Sequence, residues 1–225
     1  MKKFDDELNA LHQQLSEMAL LAKSMVQLTT SAVKDRRKDV QEELQQKETD
    51  LDRMQMDVDQ EAVRMLTVFG PVATALRDLL VITHVTAQLE RMGDQCLNVC
   101  EAIEMMSSDP QAQPMPQKLQ QMADLVCRIV DDALDAYFRK DAEKAQATRT
   151  QDDLVDALND QVMKELFTDD VLREVLAGAR DIADAVAQVL IGRHLERIAD
   201  QATNICKEVV FLVEGEDVRH PKVNS

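Results

Sequence analysis

The chain has 225 residues with 42 Asp and Glu against 26 Lys and Arg, and its formal charge of −16 excludes a general nucleic-acid binder, since no basic stripe offsets it. Hydrophobic residues make up 45% of the sequence, enough for a packed core and too many for a disordered chain. Five Gly, five Pro, five Phe, one Tyr and no Trp are poor material for sheets, and the abundant Leu, Ala, Gln, Glu, Met and Lys favour long helices.

The opening Met1-Lys2-Lys3-Phe4-Asp5-Asp6-Glu7 places acids where a signal peptide needs its apolar stretch. Apolar residues then recur at spacings of three and four, through Leu8, Leu11, Leu15, Met18, Leu21/Ala22, Met25 and Leu28, and predict a helix from about Phe4 to about Val33. The charged cluster Lys34-Asp35-Arg36-Arg37-Lys38-Asp39 breaks it, and a second helix runs to about Val68, where Phe69-Gly70-Pro71 is a firm stop. A third is expected from about Val72 to Met106, with a countable seam of Val72, Ala75, Leu79, Ile82, Thr86, Leu89, Gly93, Cys96, Cys100 and Ile103. The Pro- and Ser-rich stretch 107–116 reads as a linker between a first unit, 1–106, and a second, 117–214.

In the second unit a fourth helix runs to about Phe138, and Arg139-Lys140-Asp141 turns the chain. A fifth helix starts near Ala142 and ends somewhere between Thr168 and Gly178; a sixth runs to about Glu214, ahead of a polar tail, 215–225. The expected fold is all-α, two tandem three-helix bundles built from six long helices. The longest apolar runs, such as Val209-Val210-Phe211-Leu212-Val213, fall far short of a membrane span. Cys96, Cys100, Cys127 and Cys206 are too few and too irregularly spaced for a disulfide framework, so reduced core thiols and a cytoplasmic location are expected.

The two halves repeat. Leu89-Glu90-Arg91-Met92-Gly93-Asp94-Gln95-Cys96-Leu97-Asn98-Val99-Cys100 aligns without a gap on Leu195-Glu196-Arg197-Ile198-Ala199-Asp200-Gln201-Ala202-Thr203-Asn204-Ile205-Cys206, with seven of twelve positions identical at an offset of 106 (196 − 90). An internal duplication accounts for this. Within the repeat, Glu90, Asp94 and Asn98, and again Glu196, Asp200 and Asn204, share one helix face at i, i+4 spacing. The second helix of each half carries a matching pair, Glu48/Asp52 and Asp152/Asp156. If the second and third helices of a half pack antiparallel, four carboxylates converge on one patch in each half. Such a cluster needs a neutralising cation, and carboxylate oxygens suit hard ones, so two metal sites are one reading. Solvated acidic faces are the other, since 42 acids produce many such pairs by chance. Arg91 and Arg197 could also pair with acids of a neighbouring helix and hold register.

Other chemistry is thin. No Glu-x-x-His, phosphate-binding glycine loop, His-Glu-x-x-His or Gly-x-Ser-x-Gly occurs, so no catalytic residues are assigned. His12, His84, His194 and His220 fall in unrelated positions and read as surface or packing residues. Gly93, Gly192, Ala199 and Ala202 read as points of close helix approach.

The doubled Glu-Arg-Met-Gly-Asp-x-x-x-Asn and Glu-Arg-Ile-Ala-Asp-x-x-x-Asn resemble the paired motif of the PhoU family. The ending Val209 to His220 and the Ala75-Leu76-Arg77 segment are also similar to that family, so the resemblance covers nearly the whole chain. It implies a non-enzymatic negative regulator of the phosphate-starvation response and of phosphate uptake, often a homodimer. Such a regulator links a phosphate ABC transporter, through its ATPase (PstB type), to a sensor histidine kinase (PhoR type), and meets the membrane only through these partners. A low-affinity phosphate-carrier regulator or a carboxylate metal-storage protein is the alternative. The resemblance further implies iron or zinc, less readily manganese or magnesium, held by Glu48/Asp52 with Glu90/Asp94 and by Asp152/Asp156 with Glu196/Asp200. Ala199 departs from the family's usual glycine, and Gln55 and Asn159 stand near positions where the family often has another acid.

Overall fold

Amphipathic stripes of this length and so few breakers give helices throughout the computed structural model, which describes residues 2–107, 114–168, 173, 182–215 and 218. In chain order they are α1 (Lys2–Asp35), α2 (Gln41–Phe69), α3 (Thr74–Glu104), α4 (Gln117–Arg139), α5 (Ala142–Arg149), α6 (Asp152–Leu166) and α7 (Ile182–Glu214), with no strand among the described residues. Residues 108–113 of the expected linker, most of the expected tail and His220 lie outside them.

The stop signals act through identifiable caps. Gly70 ends α2 in the left-handed region, φ 53°, and its N–H returns to the Leu66 carbonyl at 3.1 Å. α1 and α4 end alike. Arg36 (φ 52°) and Lys140 (φ 53°) each adopt the left-handed conformation, and the next residue's N–H reaches back five positions, Arg37 to Ala32 at 3.0 Å and Asp141 to Ala136 at 2.9 Å. A left-handed cap of this kind normally uses glycine, because a Cβ there is strained.

One expectation is corrected. The single fifth helix expected from Ala142 is two, α5 and α6, broken at Thr150-Gln151. Thr148 and Thr150 donate their hydroxyls to the Lys144 and Ala147 carbonyls, and the Gln151 and Leu154 amides bond three residues back. Threonine hydroxyls competing for helix carbonyls tighten and end the turn. α6 then closes at Leu166, just ahead of the expected window.

Two three-helix bundles result, α1–α2–α3 and α4–(α5, α6)–α7, with α2 antiparallel to its neighbours. The bundles do not merely follow one another. α3 packs along α7 and α1 along α4, both antiparallel, so these four helices form a central block flanked by α2 on one side and α5–α6 on the other. Eight of the ten residues of the expected α3 seam are buried; Val72 precedes the helix and is 75% exposed, and Ala75 is half-buried. All four cysteines are free and three of them are buried. No helix among the described residues is long and apolar enough to cross a membrane.

Candidate functional site

The repeated motif lies midway along α3 and α7, where each long helix faces the second helix of its own half. Close approach there depends on small residues. A Cβ on Gly93 would stand 2.6 Å from Leu51 Cδ2 and 3.4 Å from Met25 Cε, and one on Gly192 would stand 2.5 Å from Asn159 Oδ1. Ala199 occupies the position equivalent to Gly93 and is fully buried. The tight α2–α3 and α6–α7 contacts therefore bring the expected carboxylates face to face.

In the first half Glu48, Asp52, Glu90 and Asp94 converge as expected. Glu48 is raised above the ordinary glutamate range by burial, then by repulsion from Asp52 and Asp94. Glu90 is raised by burial, then by Asp94 and Asp52, with Arg91 partly opposing, and Asp94 by burial and Asp52. In the second half Asp152 is raised from the ordinary 3.8 to about 6 by desolvation between the helices, then by Asp200 and Asp156. Desolvation and Asp156 also raise Asp200. Glu196 rises through desolvation and the charges of Asp156 and Asp200, while a hydrogen bond donated by Asn159 Nδ2 works the other way.

The patches differ in their neighbours. Lys207 opposes the rise of both Asp152 and Asp200, and its Nζ donates to Asn204 Oδ1 at 2.9 Å. One repeat earlier, at the same offset of 106 (207 − 101), stands Glu101. The second patch is thus tempered by a cation and by Asn159, and the first keeps the fuller negative charge. Asp52 Oδ1 and Asp152 Oδ1 are buried without a hydrogen-bond partner, which suits an all-oxygen donor set for a hard cation. Among the described residues, however, no three His, Cys, Asp or Glu side chains are grouped closely enough to enclose a metal ion as they stand.

Arg91 and Arg197 are exposed rather than buried in helix-to-helix ion pairs. Asn204 bridges the halves, donating to Gln88 Oε1 at 3.3 Å, while Asn98 is half-buried. Three histidines make more specific contacts than a surface or packing role requires. His12 lies 3.2 Å from Asp78, His84 lies 3.2 Å from Glu208, and His194 lies 2.9 Å from Gln95. Burial, then the charges of Arg197 and Arg193, hold His194 below the ordinary imidazole value. The Arg77 guanidinium lies 5.5 Å from the centre of the Phe211 ring, tying the Ala75-Leu76-Arg77 segment to the chain's ending.

The raised Asp152 has a measurable consequence. Its folded pKa of about 6 exceeds the ordinary 3.8, so the native state holds this proton more tightly than the unfolded chain does. The associated stability is present below about pH 4 and is lost as pH rises through about 6. Asp152→Asn is expected to gain ~1–2 kcal/mol over the parent at pH 7, after discounting for solvent screening, and to match it near pH 4. Urea unfolding of both proteins across this range checks it; a difference that does not change with pH would refute it.

The family model "PhoU domain" matches this chain twice, over residues 15–103 and 119–209. A phosphate-specific transport system accessory protein PhoU homolog of Aquifex aeolicus is 30% identical over 225 residues, covering 100% of this chain and 99% of the relative. The PhoU protein of Escherichia coli is 26% identical over 219 residues, covering 97% and 88%. Two crystal structures superpose over nearly the full length. PhoU from Pseudomonas aeruginosa has a TM-score of 0.86 at 26% identity, covering 95% of this chain and 100% of that one. The phosphate transport system regulatory protein PhoU from Streptococcus pneumoniae has a TM-score of 0.83 at 26% identity, covering 96% and 99%.

Proposed function

The chain belongs to the PhoU family, and on that premise we propose that it regulates phosphate transport as a non-catalytic adaptor, restraining phosphate uptake and the phosphate-starvation response when phosphate is plentiful. The observation that carries this reading is the doubled motif on α3 and α7, which sets one acidic patch in each half of the chain. Its partners are the ATPase of a phosphate ABC transporter and a sensor histidine kinase, met in the cytoplasm by a homodimer of this chain. An adaptor acts by binding one state of its partner more tightly than the other, and that differential affinity is all it needs. The faces of α3 and α7 that carry Glu90, Asp94, Glu196 and Asp200 are the proposed docking surface.

Replacing these four residues by Ala, in a variant of unchanged helicity, is expected to abolish binding to the purified kinase cytoplasmic region and transporter ATPase. Unchanged binding of both would remove the acidic faces from the mechanism.

A second role for the same patches is favoured by their crowded carboxylates and the two orphaned aspartate oxygens. Glu48, Asp52, Glu90 and Asp94, and less strongly Asp152, Asp156, Glu196 and Asp200, would hold iron or zinc, or in their place manganese or magnesium. The metal would supply positive charge to a patch that is otherwise self-repelling, and would let the patch present a bound cation to a partner.

A further inference from the structure

The relation between the halves extends beyond the repeated motif. Arg36, the left-handed cap of α1, donates from Nη2 to Oδ2 of Asp184 in the first turn of α7 at 2.9 Å. Lys140, the left-handed cap of α4, lies 3.7 Å from Oδ2 of Asp78 near the start of α3. The two caps are 104 positions apart (140 − 36) and the two aspartates 106 (184 − 78), so one contact is the other carried across the molecule. The four central helices therefore share an approximate two-fold axis, which passes through the middle of the α3–α7 seam.

At that point the seam carries two equivalent arginines. Asn204 donates to Gln88 at 3.3 Å and His194 meets Gln95 at 2.9 Å, which fixes the register of the two helices. Arg91 falls between Gln88 and Gln95 on one face of α3, and Arg197 between His194 and Asn204 on one face of α7. The two oppose each other across the seam within about one turn, and both are exposed. Neither makes an ion pair among the described residues. The carboxylates of the motif turn the other way, Glu90 and Asp94 towards Asp52 of α2 and Asp200 towards Asp156 of α6. Arg193, where the first half has Ala87, adds a third exposed cation.

Eleven residues before each of the paired arginines, on the same helix face, stands an exposed apolar side chain, Leu80 on α3 and Val186 on α7. They too are equivalents, at the offset of 106 (186 − 80). Because the helices run antiparallel, the two lie at opposite ends of the seam, each about 16 Å along the axis from the arginine of its own helix. The outer face of the seam thus repeats one arrangement about its axis: apolar at either tip, cationic at the centre, acidic along both flanks.

We propose that this face seats a partner that is itself a two-fold homodimer, with the partner's axis on the pseudo-axis of this chain, so that each chain binds two partner subunits at once. The inference rests on the adaptor reading above and refines its docking surface. Charge complementarity specifies the occupant: acidic side chains beside its own axis to meet Arg91 and Arg197, basic ones towards the flanks, and an apolar side chain about 16 Å to either side for Leu80 and Val186. A two-fold dimer presents every such group twice at related positions, as the duplication does here. A single asymmetric subunit would leave one copy of the arrangement unmet, whereas in a dimer the second contact forms at high effective concentration once the first is made.

The test uses the full chain and the purified, dimeric cytoplasmic region of the kinase. Native mass spectrometry of the complex should find two kinase subunits for each chain. Arg91→Ala and Arg197→Ala, each of unchanged helicity, should both weaken binding by roughly tenfold, and the double variant by roughly a hundredfold. One kinase subunit per chain, or either arginine variant binding like the parent, would overturn the proposal and leave the adaptor reading standing. No binding of the kinase by the parent chain would remove both. The stoichiometry is read on the unaltered chain, so a variant that folds poorly cannot rescue it.

Discussion

Arg36→Gly is expected to destabilise the protein by about 2–4 kcal/mol, although glycine is what the backbone at this position favours. Removing the guanidinium leaves Asp184, 6% exposed, as a buried charge without its cation, and breaking one partner of such a pair costs about 3–5 kcal/mol. Against this stands a gain of ~1–2 kcal/mol from relieving a side chain in the left-handed region. The stranded charge outweighs the relieved strain. Lys140→Gly removes the same strain but only a half-exposed ammonium 3.7 Å from Asp78, which retains His12, so it should fall within about 1 kcal/mol of the parent. Urea unfolding reads both as midpoint shifts at unchanged slope. If the two glycine variants proved equal, the ends would not differ in the way their geometry implies.

Saturating the first acidic patch with its cation should stabilise the chain more than Asp152→Asn does. At a hundredfold excess over Kd, a ligand of the native state contributes about 2.7 kcal/mol, or roughly 5–10 °C in Tm for a chain of this size. The first patch should respond at lower metal concentration than the second, because Lys207 and Asn159 already temper the latter. Glu90→Gln/Asp94→Asn should remove the low-concentration part of the response and Glu196→Gln/Asp200→Asn the high-concentration part. Binding should also weaken as pH falls, since Glu48, Glu90 and Asp94 all take up protons more readily than ordinary carboxylates. No shift in Tm with iron, zinc, manganese or magnesium would leave these residues as a docking face alone.

Helix positions and the convergence of the eight carboxylates were legible in the sequence because both follow from local periodicity. Spacing of i, i+4 puts Glu90 with Asp94 on one face, and an antiparallel neighbour supplies the rest. The break at Thr150-Gln151 was not legible, since it depends on threonine hydroxyls choosing backbone carbonyls over solvent. Nor was the cross-half pairing of Arg36 with Asp184, which joins residues 148 positions apart. A signal for it existed all the same: Arg36 and Lys140, like Asp78 and Asp184, recur at the offset of the duplication. His12 and His84 carried no such signal, because their equivalents in the other half are Pro116 and Leu190, and only the fold reveals the carboxylates they meet.

The antiparallel seam between α3 and α7 has the form of an isologous contact, the kind that joins two identical subunits about a two-fold axis. In a true pair of identical subunits every change of residue appears on both sides of the axis at once. Joined in one chain, each side varies alone. That freedom is what allows Glu101 to stand on one side and Lys207 on the other, and a histidine-matched carboxylate at one end to oppose an arginine-matched one at the other. A symmetric dimer of single units would be confined to two identical acidic patches, whereas this chain can hold two different ones.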